Sequence, residues 1–344
     1  MSNPTRRRDR SIERVGEILQ RAGFFVSDAH AIRPTSFDLL ARRDSLLLIV
    51  KILKNIDALD AAEAARLREL GELFPASAVV VGETSGGAPL EGGVVYGRYG
   101  VSVVTEETFS DLLLEGVPPF LFSSPGGIFG RLDGVRLRGL REARALSLGA
   151  LASVAGVSRR TIQLYEEGGG AEVDVIERLE RYLGEAIALP ITLWTGERAG
   201  RPRLLSDLDA EAAEETTPAP RAATDGPPGP TGDRLRDFVF RQLDATGWEV
   251  VVTLRCPFDA FTHADARGEK EILLTSVGSW KTALHRAELL SQLARVAEGH
   301  ALYVVRDAPE RSVRERLPVL TMRELRRQRD PDDLLETIEG RVPP

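Results

Sequence analysis

LRGLREARALSLGALASVAGVSRRTIQLYEEGGGAEVDVIERLERYL, residues Leu137–Leu183, decides how the chain is organised. Its apolar residues recur at helical spacing in short runs: Leu140 and Ala143; Leu148, Leu151, Ala152 and Ala155; Val157, Ile162 and Tyr165; Val175, Ile176, Leu179 and Leu183. That pattern predicts four or five short helices rather than one long one. Ala152 is small enough for a second helix to cross close above it. Gly156 can take the left-handed conformation that ends a helix. Val157 is placed to plug the core between two helices, and the Ser158 hydroxyl can cap the next one. Together these residues predict a helix-turn-helix with a tight turn.

The second helix of the pair should run from Ser158 to about Glu166. Ile162 and Tyr165 face inward, so Arg159, Arg160 and Gln163 face outward together. Arginine suits guanine O6/N7 and phosphate, and glutamine suits adenine N6/N7. The N-terminal part of such a helix is what enters a major groove. The segment resembles the XRE/Cro-type phage-repressor helix-turn-helix. More closely, DGVRLRGLREARALSLGALASVAGVSRRTIQLYEEG is similar to the helix-turn-helix of a group of archaeal transcriptional regulators. The resemblance implies a compact five-helix, lambda-repressor-like domain that binds duplex DNA, usually as a dimer. It puts Arg159, Arg160 and Gln163 in base-reading places, and Ser158 and Thr161 near the backbone or a thymine methyl. Phage-type domains usually begin the first helix of the pair with a phosphate-holding Gln; this chain has Leu148 there. The missing contact is then expected from Arg138, Arg141 or Arg144.

The chain has 344 residues, enough for two or three domains, and 42% hydrophobic residues to build cores. Its net charge is -7, which excludes a general polyanion binder. From Arg131 to Tyr165, however, seven Arg face only Asp133 and Glu142, a local net of +5. A basic patch on an acidic protein fits specific docking on nucleic acid. The one cysteine, Cys256, allows no internal disulfide and fits a reducing cytoplasm. No apolar run is long enough to predict a membrane span. The four histidines show no zinc spacing, so no metal and no cofactor are expected.

Residues 1–10 carry Arg6, Arg7, Arg8 and Arg10 and read as a solvated basic tail, with Ser11 capping the helix that follows. Residues 11–120 then give the order α-β-β-β-α-β-β-α, an α/β sandwich. An Asp at the start of one strand and a Lys inside the next resemble the PD-(D/E)XK restriction-endonuclease and junction-resolvase fold. Asp38 matches the metal-binding Asp of that family and Lys51 the Lys of its E-x-K element. The acidic position of the element is Ile49, which cannot ligate; Glu13 or Glu17 could supply one carboxylate. Metal-dependent phosphodiester cleavage needs clustered carboxylates, so the central pair is broken. The breaks at Gly82–Gly93 and Gly116–Gly127 read as surface loops. The second, VPPFLFSSPGG, should cross to the helix-turn-helix domain of residues 131–195, with Phe120 and Phe122 packed.

Residues 206–232 are acidic and Pro-rich and read as a linker. After it the chain repeats itself over 233–344. Gly247-Trp248-Glu249-Val250 answers Gly23-Phe24-Phe25-Val26, Phe258-Asp259 answers Phe37-Asp38, and Ile272–Val277 answers Leu47–Ile52. Leu274 and Ser276 fall opposite Ile49 and Lys51, so the second copy keeps only Asp259. Asp259, His263 and Asp265 are better read as surface polar residues than as a metal site.

The whole chain is therefore expected to be α/β plus all-α: two related, degenerate restriction-endonuclease-like α/β domains flanking a central helix-turn-helix domain. Its expected function is sequence-specific transcription regulation on double-stranded DNA, without catalysis, as a cytoplasmic homodimer that meets the transcription machinery. Two alternatives stand beside it. One is a structure-selective, Mg-dependent nuclease targeted by the helix-turn-helix. The other is a DNA-associated scaffold whose flanking domains bind proteins.

Overall fold

In a computed structural model of the chain, the description covers residues 4–28, 35–194, 231–306 and 318–341. The linker reading of 206–232 lies, up to residue 230, outside the described residues. The first helix, α1, spans Pro4–Arg21. It does not wait for a cap at Ser11: proline is favoured at a helix start and arginine is a good helix former. The expected basic tail is thus largely the first turns of α1. Ser11 instead reaches Glu83, Oγ to Oε1 3.3 Å.

After α1 come β1 (Phe25–Asp28), β2 (Leu39–Arg43) and β3 (Leu46–Asn55), then a 3-10 turn, Ile56–Ala58, and α2 (Ala61–Leu73). β4 (Ser77–Ser85), β5 (Ala88–Pro89), β6 (Val94–Arg98) and β7 (Val101–Val104) lead to α3 (Glu106–Ser110). Two expected loops are strands instead. Residues 82–93 hold the end of β4 and all of β5, which pair with each other. Residues 116–127 hold β8 (Leu121–Ser124) and the turn into β9 (Gly127–Arg131). The helix-turn-helix region follows: α4 (Gly134–Ala143), α5 (Leu148–Ala155), α6 (Arg159–Glu166), β10 (Gly170–Glu172) and α7 (Val173–Leu183). The last part contains α8 (Arg234–Ala245), β11 (Glu249–Val252), β12 (Ala260–Ala266), β13 (Glu269–Gly278) and α9 (Trp280–Val296). It closes with β14 (His300–Val305), β15 (Val319–Thr321), α10 (Met322–Leu325) and α11 (Pro331–Glu339).

These elements gather into two compact units. One is Met1–Ala22, Ile52–Ala64 and Ser77–Thr217; the other is Gly23–Lys51, Ala65–Ala76 and Pro218–Pro344.

In the first unit β4 pairs parallel with β7, β7 antiparallel with β6, and β6 parallel with β8. The β8–β9 hairpin then continues the ladder into β10, with Gly170 opposite Arg131 and Glu172 opposite Phe129. The sheet therefore runs without a break from the α/β elements into the helix-turn-helix. Within residues 131–194 the helices number four, not five. After α7 the chain is extended: Leu132 bridges Ala188, and the Ile191 N–H donates to the Pro119 carbonyl at 2.8 Å. Pro190 and the β-branched Ile187, Ile191 and Thr192 suit that extended path better than a helix.

In the second unit β1, β2 and β3 form an antiparallel meander, and β11, β12 and β13 form another that continues through parallel β14 and β15. The two meanders share a register detail. Asp38 N–H donates to the Val50 carbonyl and Asp259 N–H to the Thr275 carbonyl, both at 2.9 Å. That places Lys51 and Ser276 at the same rung, and Ile49 and Leu274 at the same rung. The N-terminal strands and the C-terminal elements interlock here. The Phe74 ring meets Phe258 and Phe261 edge-on, at 5.9 and 4.8 Å. The Ser36 N–H donates to the Arg255 carbonyl at 2.8 Å, and Arg42 reaches both the Val296 carbonyl and Glu298.

Candidate nucleic-acid interface

The turn between α5 and α6 is built from local signals. Ser147 caps α5 by accepting from the Ala150 N–H at 3.1 Å. Gly156 ends it in the left-handed conformation, φ +72°. Ser158 caps α6 by accepting from the Thr161 N–H at 3.1 Å, and the two hydroxyls meet at 2.8 Å. Leu151, Ala152, Ala155, Ile162 and Tyr165 are buried with Leu137, Val175, Ile176, Leu179 and Leu183; Val157 is only partly buried beside them. Ala143, expected inside, is exposed.

Two arginines lock this core from outside. Arg178 on α7 donates twice to the Ala155 carbonyl, 2.8 and 3.2 Å, satisfying the end of α5. Arg141 on α4 grips Glu166 on α6 with two hydrogen bonds, 2.5 and 3.1 Å, and also donates to the Leu146 carbonyl. The Arg141 and Glu166 side chains are only 13% and 10% exposed. Arg141 was expected among the phosphate contacts; its guanidinium is instead consumed in the fold, because planar bidentate pairing to a shielded carboxylate leaves little of it for a ligand. Arg144 donates to the Leu183 carbonyl at the end of α7. Arg138 stays at the surface in an exposed i,i+4 pair with Glu142. Of the three, Arg138 is the one held least firmly.

Arg159, Arg160 and Gln163 on α6 are all exposed, with Ser158 exposed and Thr161 half-buried beside them. Leu164, which periodicity alone would not single out, is 51% exposed on the same helix. Arg159 leaves the helix sideways: a Cβ added to Gly149 on α5 would lie 2.9 Å from its Nε. The missing side chain at Gly149 makes room for that guanidinium.

The positions resembling a nuclease centre lie in the other compact unit. Asp38 and Lys51 are buried, at 1% and 3% exposure, and the Lys51 ammonium donates to the Thr35 carbonyl at 2.9 Å. Ile49 is fully buried between them in sequence. Among the C-terminal strands Asp259 pairs with Arg236 at 2.9 Å and accepts from the Val277 N–H at 2.8 Å. A divalent cation needs converging oxygen donors. With isoleucine and leucine at the acidic rung, the donor set does not fit one. Glu17, considered as a substitute, lines a shallow groove with Arg14, Arg21 and Glu106, where Arg14 and Glu106 pair at 2.8 Å. His263 faces Glu249 across the β11–β12 ladder, 3.4 Å away. No helix among the described residues is long and apolar enough to cross a membrane.

Comparison with known proteins places these regions. Residues 8–119 match the PD-(D/E)XK superfamily domain, and residues 134–188 match a helix-turn-helix domain. A protein of Halobacterium salinarum, provisionally named an HTH-type transcriptional regulatory protein, is 36% identical over 330 residues, 96% of each chain. A relative with the same provisional name from Methanocella arvoryzae is 34% identical over 335 residues, 97% of each chain. Another, from Halorubrum lacusprofundi, is 36% identical over 331 residues, 96% of each. No solved structure matches the chain.

Proposed function

Since the chain belongs to this archaeal family of HTH-type transcriptional regulatory proteins, we propose that it regulates transcription by binding duplex DNA at a defined sequence. The observation that carries the reading is the capped α5–α6 pair, which presents Arg160 and Gln163 on the open side of α6. Such a helix lies in the major groove and reads base edges, while nearby cations hold phosphates. In this reading Ser158 and Thr161 meet the DNA backbone at the start of α6, and Arg138 and Arg144 supply phosphate contacts from α4 and its C-cap.

The protein acts as a homodimer on two half-sites about one helical turn, ~34 Å, apart, and it meets the transcription machinery from the bound site. The nuclease-like elements form two related modules, one on each side of the helix-turn-helix along the chain. They serve as scaffold rather than enzyme. The support is chemical: the acidic rung carries Ile49 and Leu274, and Ser276 stands where the first copy has Lys51.

Selection of bound duplexes from a random pool tests the proposal, with the wild-type chain beside an Arg159→Ala/Arg160→Ala double variant. The wild type should enrich one motif, palindromic if two protomers bind, and the double variant should bind it more weakly and with at least one base position relaxed. Enrichment of no motif by the wild type would rule out sequence-specific regulation. Retention of the full motif by the variant would remove α6 as the reading element.

A further inference from the structure

Arg159, Arg160 and Gln163 do not share one direction on α6. The helix turns by about 100° per residue. Measured from the buried pair Ile162 and Tyr165, Arg160 stands about 170° away, Gln163 and Leu164 about 130° away on either side, and Arg159 only about 90° away. Arg159 therefore lies on the flank facing α5, and its guanidinium confirms that direction. Its Nε, Nη2 and Cζ would lie 2.9, 3.2 and 3.3 Å from a Cβ on Gly149. The centre of the open face belongs to Arg160, Gln163 and Leu164, all exposed.

We infer that the two neighbouring arginines have different tasks. Arg159 holds a sugar-phosphate strand and contributes affinity without sequence information. Arg160, Gln163 and Leu164 form the base-reading face, with Leu164 seated on a thymine methyl. The inference rests on the proposed reading of α6 as the recognition helix. With α6 in the groove, the first helix of the pair crosses the backbone. A cation lying against α5 thus meets phosphate, which fixes register but does not specify sequence. Leu164 has no hydrogen-bonding group. Among base edges in the major groove only the thymine C5-methyl offers it an apolar contact. Glu167 follows on the same side but is already the C-cap, past the last turn.

The test uses the full chain and three single variants, Arg159→Ala, Arg160→Ala and Leu164→Ala. All three side chains are exposed, so thermal melting should show an unchanged fold. After the wild-type motif is selected, affinities are measured across a salt series, and each thymine is replaced singly by deoxyuridine, which lacks only the methyl. Arg159→Ala should keep the motif, weaken every duplex alike, and reduce the slope of log affinity against log salt by about 1. Arg160→Ala should relax one base position. The wild type should lose about 4-fold at one deoxyuridine, the factor expected for one buried methyl, and Leu164→Ala should be indifferent to that replacement. A base position relaxed by Arg159→Ala, a motif without thymine, or a wild type indifferent to deoxyuridine everywhere would each overturn the division. A wild type that selects no motif would instead bring down the proposed function itself.

Discussion

At the scale of single residues, the arginines of the helix-turn-helix divide by what they touch rather than by charge. Arg138 and Arg141 are three apart on one helix, yet one is exposed beside Glu142 and the other is shielded against Glu166. Truncating Arg141 leaves a shielded carboxylate without its partner. We expect Arg141→Ala to cost about 1–3 kcal/mol in urea unfolding, with Arg141→Lys recovering only part because a lysine cannot pair bidentately. Arg138→Ala should leave the midpoint where it is. Glu324 makes a second residue-level prediction. Burial acts to raise its pKa, but hydrogen bonds from Arg341 and from the Thr321 backbone and side chain outweigh it and bring the value from 4.5 to about 2. A carboxylate with a depressed folded pKa stabilises above its unfolded value. That contribution is lost as the pH falls from about 4.5 towards 2. Glu324→Gln should lower stability at neutral pH and flatten acid unfolding in that window, followed by circular dichroism.

At the scale of elements, close approach and capping decide the helix-turn-helix. A Cβ on Gly134, the first residue of α4, would fall 2.3 Å from the Glu166 carbonyl oxygen and 2.7 Å from the Gly168 nitrogen. Backbone is on the other side, so no side chain can move aside. Gly134→Ala should therefore cost at least about 1–3 kcal/mol and lower the melting temperature, whereas Gly139→Ala, with nothing within 4 Å, should not. The α5–α6 turn was legible in the sequence because its determinants are local: the Ser158 cap, one left-handed glycine and a small residue at the crossing; the Ser147 cap that starts α5 was not picked out. The β8–β9 hairpin was not legible. Its strands are four and five residues long and contain glycine and serine, and their partners, Val94–Val95 and Gly170–Glu172, are distant in sequence. No periodicity inside PFLFSSPGGIFG announces pairing on both sides. The sideways course of Arg159 was equally hidden, because the space it occupies is provided by a glycine on another helix.

At the scale of the whole molecule, the repeat of the Phe-Asp pair was readable, and the shared rung of Asp38 and Asp259 agrees with the alignment of the two stretches. The division into compact units was not readable. It follows from contacts such as Phe74 with Phe261, which join residues far apart in sequence. With hydrophobic side chains at both acidic rungs, the full chain should leave supercoiled and branched DNA intact in Mg²⁺ or Mn²⁺. Asp38→Ala should change nothing in an agarose assay of nicking. Cleavage that Asp38→Ala abolishes would reverse that assignment. Arg138, Arg160 and Gln163, by contrast, are carried on helices mounted on a continuous ladder. Between β6 and β10 every step is a paired strand, so the helix-turn-helix has no swivel of its own with respect to that ladder. The ladder therefore fixes the attitude of the helix-turn-helix: its helices stand on the sheet as teeth stand on a key, and turning the shaft turns the teeth with it.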